Sequence, residues 1–379
     1  MKKPVTLTLL IIIFMSTNSW GNTIRKMGHS VETRFDTLRY RLKKDLKYDQ
    51  PLQVVPYNGY GNQDTLFIKG RVLEHKGNID DSTKESLWNN MVATYQRLES
   101  DEVPDLALKA HVYGTEYVTK TDEEGYFALS VPTPDNLDKT KLWHDISIEV
   151  LPQAAITATT TPVTGRIMLP PADCDFGIIS DIDDTIMVTN ATSLLAMARL
   201  TFAHSPATRL PFEGVADFYQ ALIHGSTAPR PIFYVSSSPW NLYDFLIEFM
   251  QLNHIPAGPL LLRDFGLTSE QLIQSSHHKH KLTQITDIMS TYPELPFILI
   301  GDSGQHDPEI YAEVVATRPG QVKAIYIRDV NQNTQRTDSI SKLAREVQKH
   351  SIEMILVADT ETAMAHALTQ GYLQSKSPD

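Results

Sequence analysis

Residues 176–185 read FGIISDIDDT, an apolar run that passes through Ser180 into the paired carboxylates Asp181 and Asp183. A short apolar run of this kind reads as a strand buried on both faces, as in a parallel sheet. In open α/β sheets ligands bind beyond the carboxyl ends of the strands, which is where Asp181 and Asp183 fall. Two carboxylates two residues apart at a strand end can share one divalent cation and one reacting group. An acidic turn that only caps a strand has the same spelling, so the pair alone decides nothing. A second acidic cluster, GDSGQHDPE at 301–309, again follows an apolar run and tips the balance toward chemistry.

Downstream of this stretch, strand-like and helix-like segments alternate. RPIFYVSSS, GPLLLRDF, PFILIGDS, QVKAIYIRDV and SIEMILVAD read as strands. VADFYQALIHG, NLYDFLIEFMQLN, residues 279–290, EIYAEVVATRP and ETAMAHALTQGYL read as helices. Repeated βα units with apolar strands predict an α/β domain over 166–374, a three-layer, mainly parallel sheet covered on both faces. A small helical insert is expected at about 186–230, carrying Leu194, Leu195, Met197 and Leu200, and the tail SKSPD reads as frayed.

Upstream, over 51–165, the texture is that of short strands and turns, which predicts a smaller β-rich, sandwich-like domain. VVPYNGYGN reads as turn-like, TLFIKGRVLE as a strand interrupted at Gly70, and Thr121–Gly125 as a hairpin turn. Residues 79–102 show a helical pattern with Trp88, Met91, Val92 and Tyr95 on its apolar side, and the Pro-Pro pair within 163–175 marks the junction. No catalytic set converges in this region, which is expected to be structural or to position the second domain. Residues 22–50 read as a helical arm lying on the surface. Residues 1–21 read as an export signal, with Lys2 and Lys3, an apolar stretch from Val5 to Met15, and Ser19-Trp20-Gly21 as a cleavage site. The expected location is therefore periplasmic or secreted, with a membrane tether through an uncleaved segment as the alternative.

The length of 379 residues suits two domains, and an apolar share of 41% is enough for sizeable cores. The formal charge of −11 with no long basic run argues against a nucleic-acid binder, which needs a cationic footprint. The single cysteine, Cys174, rules out an internal disulfide.

Four clusters end strands or precede helices in the second domain: Asp181 with Asp183, Ser236-Ser237-Ser238, HHKHK at 277–281, and Asp302 with Asp307. Loops after parallel strands converge on one sheet edge, so these form one candidate site. They supply a nucleophile, a phosphate cradle, a cation and carboxylates for a metal. Lys279 and Lys281 stand two apart on a helix and so face different ways. His277, His278 and His280 invite a zinc reading, but no further ligand pattern accompanies them. Trp240 and Tyr243 read as core residues, with an apolar lip for an acyl chain as the competing reading. Arg328-Asp329 either borders the pocket or is a solvated strand end.

DxDxT followed by a strand-end serine, a lysine and GDxxxxD resembles the haloacid-dehalogenase-like phosphohydrolases. More narrowly, FGIISDIDDTI, FYVSSSPWNLYDFL, HHKHK and ILIGDSGQHDPEIY…IYIRDV resemble the catalytic domain of the actin-patch-protein-type phosphatidate phosphatases, over about 165–370. The resemblance implies that Asp181 attacks phosphorus to give an aspartyl-phosphate and that Asp183 protonates the leaving alcohol, then activates water. It implies phosphate binding by Ser236, with Ser237 or Ser238 as substitutes, and by a lysine, for which Lys279 is preferred over Lys281. Mg²⁺ would be held by Asp181, the backbone carbonyl of Asp183 and Asp302, with Asp307 direct or through water. Asp184 would position the pair and Thr185 would support the loop. The implied activity is a Mg²⁺-dependent phosphomonoesterase acting on phosphatidate, with peripheral membrane contact and unidentified protein partners. A phosphatase for small soluble phosphomonoesters and a non-catalytic binding module at an envelope or lipid surface are the competing readings. Familiar members of that family act inside the cell, so the export signal is a departure.

Overall fold

The structure, a computed structural model, describes residues 52–74, 103–152, 161–187, 211–263, 270–330 and 333–374. The export signal, the arm at 22–50, the helical pattern at 79–102, most of the insert (188–210) and the tail lie outside the described residues. Residues Tyr48–Asp379 form one compact unit.

The first sheet comprises β1 (Leu52–Pro56), β2 (Gly59–Gly61), β3 (Thr65–Glu74), β4 (Ala107–Val112), β5 (Thr115–Lys120), β6 (Tyr126–Pro132), β7 (Trp143–Val150) and β8 (Val163–Met168). Their order is β1-β3-β2-β8-β7-β4-β5, with β6 on the free edge of β3. Pairing is antiparallel except between β2 and β8. The strands make one continuous sheet, because the ten-residue β3 pairs with β6 on one side and with both β1 and β2 on the other. Its outer strands meet where Thr119 Oγ1 donates to the Ala128 carbonyl at 3.1 Å. Alternate residues Leu66 and Ile68, Leu108, Ala110 and Val112, and Ile146, Ile148 and Val150 turn inward to a single core, as the two-residue period of a strand requires. Two local expectations change. VVPYNGYGN is not a turn but carries β1 and β2, and β3 runs unbroken through Gly70, where a Cβ would fall 2.3 Å from the Phe127 ring. Glycine serves close approach there, not chain reversal.

The second sheet is β9 (Gly177–Ser180), β10 (Ile232–Pro239), β11 (Leu260–Arg263), β12 (Phe297–Asp302), β13 (Val322–Arg328) and β14 (Glu353–Val357), in the order β11-β10-β9-β12-β13-β14 and parallel throughout. Helices α1 (Val215–His224), α2 (Tyr243–Leu252), α3 (Glu270–Thr291), α4 (Asp307–Thr317), α5 (Thr334–Gln348) and α6 (Thr360–Thr369) cover it. On one face Phe218, Leu222, Leu246, Phe249 and Ala363 pack with Ile178, Ile298 and Ile300. On the other, Ile285, Ile288, Val314, Ile340 and Val347 pack with Ile179, Leu299 and Ile325. Successive strand residues thus feed opposite apolar layers, as expected of a buried parallel sheet.

The two sheets touch through β2 and its neighbours. The Tyr57 ring stacks on Trp240 at 4.9 Å and lies 4.0 Å from Tyr243, whose hydroxyl accepts from the Asn58 N–H at 2.8 Å. Tyr292 donates to the Gly61 carbonyl at 2.8 Å, and Tyr60 meets Phe233 edge-on. Trp240 and Tyr243 are therefore packing residues between the sheets, not a lip for an acyl chain.

Candidate functional site

β9 lies between β10 and β12, so the loops after these three strands meet at one edge of the sheet. Asp181 follows β9 with its N–H on the Ile300 carbonyl of β12 at 2.9 Å, which fixes its carboxylate over the strand end. The chain then turns tightly: Asp184 adopts a left-handed conformation (φ 57°), and its N–H bonds the Met187 carbonyl at 3.0 Å. Asp is among the few residues that tolerate this backbone, through its short polar side chain. Thr185 is buried and its hydroxyl approaches Asp181 Oδ2 at 3.4 Å.

Asp181, Asp302 and Asp307 are each 1% exposed or less, and each offers one carboxylate oxygen within 4.8 Å of the others. Gly301 makes this approach feasible, since a Cβ there would lie 2.6 Å from Asp307 Oδ2. Asp307 Oδ2 accepts from the Asp302 N–H at 3.2 Å, and Asp302 Oδ1 accepts from the Gly304 and Gln305 N–H groups at 2.7 and 2.9 Å. Asp302 Oδ2 is buried with no hydrogen-bond partner.

Lys281 closes the cluster. Its Nζ lies 2.8 Å from Asp181 Oδ1 and 2.6 Å from Asp307 Oδ1, and the residue is 4% exposed. The preference for Lys279 is corrected: Lys279 faces outward and is exposed, while Lys281, two positions on, points at the carboxylates. HHKHK does not open its helix either. It lies within α3, which spans Glu270–Thr291. His278 pairs with Glu313 at 2.9 Å, and burial, with help from Arg263 and Lys281, pushes His277 down to about 4. Among the described residues the histidines form no group with three metal-ligating atoms; the three aspartates do.

Asp183 has a different environment. Its Oδ2 accepts from the Ser236 and Ser238 hydroxyls at 2.9 and 3.1 Å, while Oδ1 is buried without a hydrogen-bond partner. Ser236, first choice for a phosphate ligand, is thus occupied by Asp183 and by the Ser238 N–H at 3.0 Å. The buried Ser237 hydroxyl has no hydrogen-bond partner.

The electrostatics follow from three buried carboxylates facing one ammonium. Burial pushes Asp181 well above the ordinary carboxylate range; Lys281 pulls it down, while Asp307 and Asp302 add to the rise. Asp302 rises for the same reasons, burial first and Asp307 next. Asp183 is raised by burial and pulled back by Ser236, Lys281 and Ser238. Burial alone would lower Lys281, but Asp181, Asp307 and Asp302 outweigh it and keep the ammonium charged. Buried charge in this ratio calls for more positive charge. An all-oxygen donor set with a partnerless Asp302 oxygen can bind a metal ion, and suits a hard one.

Sequence reading missed Gln305 and Arg336. Gln305 stands inside GDSGQHDPE, where its side chain reaches both the Asp183 carbonyl and Lys281, at 3.1 and 3.3 Å. Arg336, on α5, bonds the Ser303 and Gln305 carbonyls at 2.7 and 2.6 Å and pairs with Glu309. No local signal marks Arg336, since its partners lie about 30 residues earlier. Arg328 stacks on Phe212 at 4.1 Å and donates to Thr360 Oγ1 at 2.9 Å, a structural contact at the foot of the insert.

Residues 176–329 match the family model described as Phosphatidate phosphatase APP1, catalytic domain. Phosphatidate phosphatase APP1 of Saccharomyces cerevisiae is 37% identical over 153 residues, which is 40% of this chain and 25% of the yeast protein. An uncharacterized protein of Schizosaccharomyces pombe is 28% identical over 217 residues, 57% of this chain and 35% of its own length. The chain thus spans well under half the length of the relatives it matches.

Proposed function

We propose that the segment carrying this site makes the chain a Mg²⁺-dependent phosphomonoesterase of haloacid-dehalogenase-like fold, working through an aspartyl-phosphate and acting on phosphatidate. The observation that carries the reading is the placement of the DxD pair: Asp181 stands in the buried cluster with Lys281, Asp302 and Asp307, and Asp183 stands beside it on Ser236 and Ser238. Asp181 is held by Lys281, which favours an anionic nucleophile. Asp183 is two residues on; burial raises it and so favours a carboxyl that carries a proton, while the Ser236 and Ser238 hydroxyls donate to it, fix its orientation and pull the other way. Two carboxylates with different partners, one beside an ammonium and one on hydroxyls, can divide the parts of nucleophile and acid.

In the first step an Asp181 oxygen forms a bond to phosphorus as the bond from phosphorus to the leaving oxygen breaks, and Asp183 passes its proton to that oxygen. In the second, Asp183 takes a proton from water as the water oxygen attacks phosphorus and Asp181 leaves. Ser237, with its free hydroxyl, is the strand-end group best placed to donate to a phosphoryl oxygen, and Lys281 offsets the charge that builds there. Asp181, Asp302 and Asp307 would hold Mg²⁺, with the second lone pair of the Asp183 carbonyl as a further donor. The cation supplies charge neutralisation on the transferring phosphoryl group. Thr185 and Asp184 hold the loop. The β-rich region, 51–165, serves as a scaffold for the catalytic region, 166–374, and an export signal at 1–21 would make the protein periplasmic or secreted.

The test is phosphate release by the purified protein from phosphatidate in mixed micelles and from a soluble aryl phosphate, with Mg²⁺ and with chelator, beside Asp181→Asn. Mg²⁺-dependent release from the lipid that Asp181→Asn abolishes is the expected result. Release from the soluble ester alone would keep the chemistry and discard the lipid. Silence across a wider phosphoester panel would leave a binding module.

A further inference from the structure

Gln305 joins the three parts of the site that lie on different elements. Its Nε2 donates to the Asp183 carbonyl at 3.1 Å, its Oε1 accepts from Lys281 Nζ at 3.3 Å, and its backbone N–H donates to Asp302 Oδ1 at 2.9 Å. The amide orientation is set by its neighbours, since a carbonyl can only accept and an ammonium can only donate. No other residue type of this length offers a donor and an acceptor at once. The Gln305 backbone is fixed in turn by Arg336. The guanidinium donates from Nη2 to the Gln305 carbonyl at 2.6 Å and from Nε to the Ser303 carbonyl at 2.7 Å, and Glu309 pairs with it from the other side.

We propose that Gln305 is a positioning residue that latches the Asp181–Met187 loop to the Asp302–Asp307 loop, and that Arg336 sets the latch from α5. The loop that carries both members of the DxD pair is tied to β12 through the Asp181 N–H and to Lys281, Ser236 and Ser238 through its carboxylates, but between Ile182 and Met187 its backbone is held largely by short turns. The Asp184 N–H bonds the Met187 carbonyl and the Ile186 N–H bonds the Ile182 carbonyl, each at 3.0 Å. Through Gln305, the position of the Asp183 backbone depends on the same loop that offers Asp302 and Asp307. Acid and cation site are then placed together, and a shift of one moves the other. What the latch serves rests on the phosphatase reading above; that it exists does not.

Hydrogen–deuterium exchange of the unliganded protein tests the latch directly, because the Asp184 and Ile186 amides report opening of the loop. Gln305→Met keeps the length and removes both side-chain hydrogen bonds. It should speed exchange at these two amides about tenfold while amides of β4 and β7 keep their native rates. Arg336→Lys keeps the charge and loses the fork, so it should speed the same amides. The double variant should exchange no faster than Gln305→Met, since both changes break one path. Gln305→Glu still accepts from Lys281 but cannot donate to the Asp183 carbonyl. It should open the loop as Gln305→Met does and lower kcat with little change in KM. Native exchange at Asp184 and Ile186 in Gln305→Met, or additive effects in the double variant, would overturn the latch. The exchange pattern in a protein that releases no phosphate would uphold the latch and remove the phosphatase reading alone.

Discussion

At the scale of single residues, the site is a problem of charge balance, and Lys281 is the group that solves most of it. Its ammonium is the one cation within ion-pair distance of Asp181 and Asp307 among the described residues, and all three are buried. Removing one partner of a buried pair strands the other, at a cost of about 3–5 kcal/mol. Lys281→Met should therefore lower stability by about that amount, measured by urea unfolding without added cation. Saturating Mg²⁺ should recover part of the loss, because the bound ion would face the same carboxylates. A variant as stable as the native protein would show that the aspartates simply take up protons instead. Gly301 belongs to the same balance, since only a residue without a Cβ lets Asp307 lie against the β12 strand end.

At the scale of elements, the loops are aimed by what packs behind them. Ser236–Ser238 leads straight into Trp240 and Tyr243, and both lean on Tyr57 from the first sheet. Tyr57→Ala should cost about 3–5 kcal/mol, as for other buried aromatics cut back to alanine, and should loosen the turn after β10. Thermal unfolding checks the first effect, and an unchanged midpoint would show that the stack is incidental. Much of this architecture is legible in the sequence: FGIIS, FYVSS and FILIGD spell strands buried on both faces, and the carboxylates or serines at their ends mark the working edge. What escapes reading is what depends on rotation and distance. Two lysines on one helix cannot be told apart until the helix is docked, and its extension back to Glu270 moves both from a helix start to its middle. The GYGN stretch has the composition of a turn, yet its glycines let β2 slip between neighbouring strands. Arg336 reaches its carbonyls through space alone, so no spacing rule could find it.

At the scale of the whole molecule, protonation links the two sheets to a common pH response. His144, in the first sheet, and His277, beside the second, are both held below the ordinary histidine value, chiefly by burial. A histidine that resists protonation when folded and accepts it when unfolded favours the native state above pH 6.5, its ordinary value. That preference fades as the pH falls, and for His277 the loss runs down to about 4. Stability in saturating Mg²⁺, which on the proposed function would keep the aspartates ionised, should be level above pH 6.5 and decline toward pH 4, with a shallower decline in His277→Gln. Equal slopes for the two proteins would refute the assignment to His277. The seam where β2 meets the second sheet has a further consequence, for anyone who cuts the gene. The stretch that matches the family, 176–329, ends short of α5, α6 and β14 and omits β2 altogether. Expressed alone it would present Phe233, Tyr243 and Tyr292 to water, without the ring and carbonyl partners that Tyr57, Tyr60 and Gly61 provide. The span that carries the ancestry is thus smaller than the span that can stay soluble, and a transplanted catalytic region would have to bring its upstream strands with it.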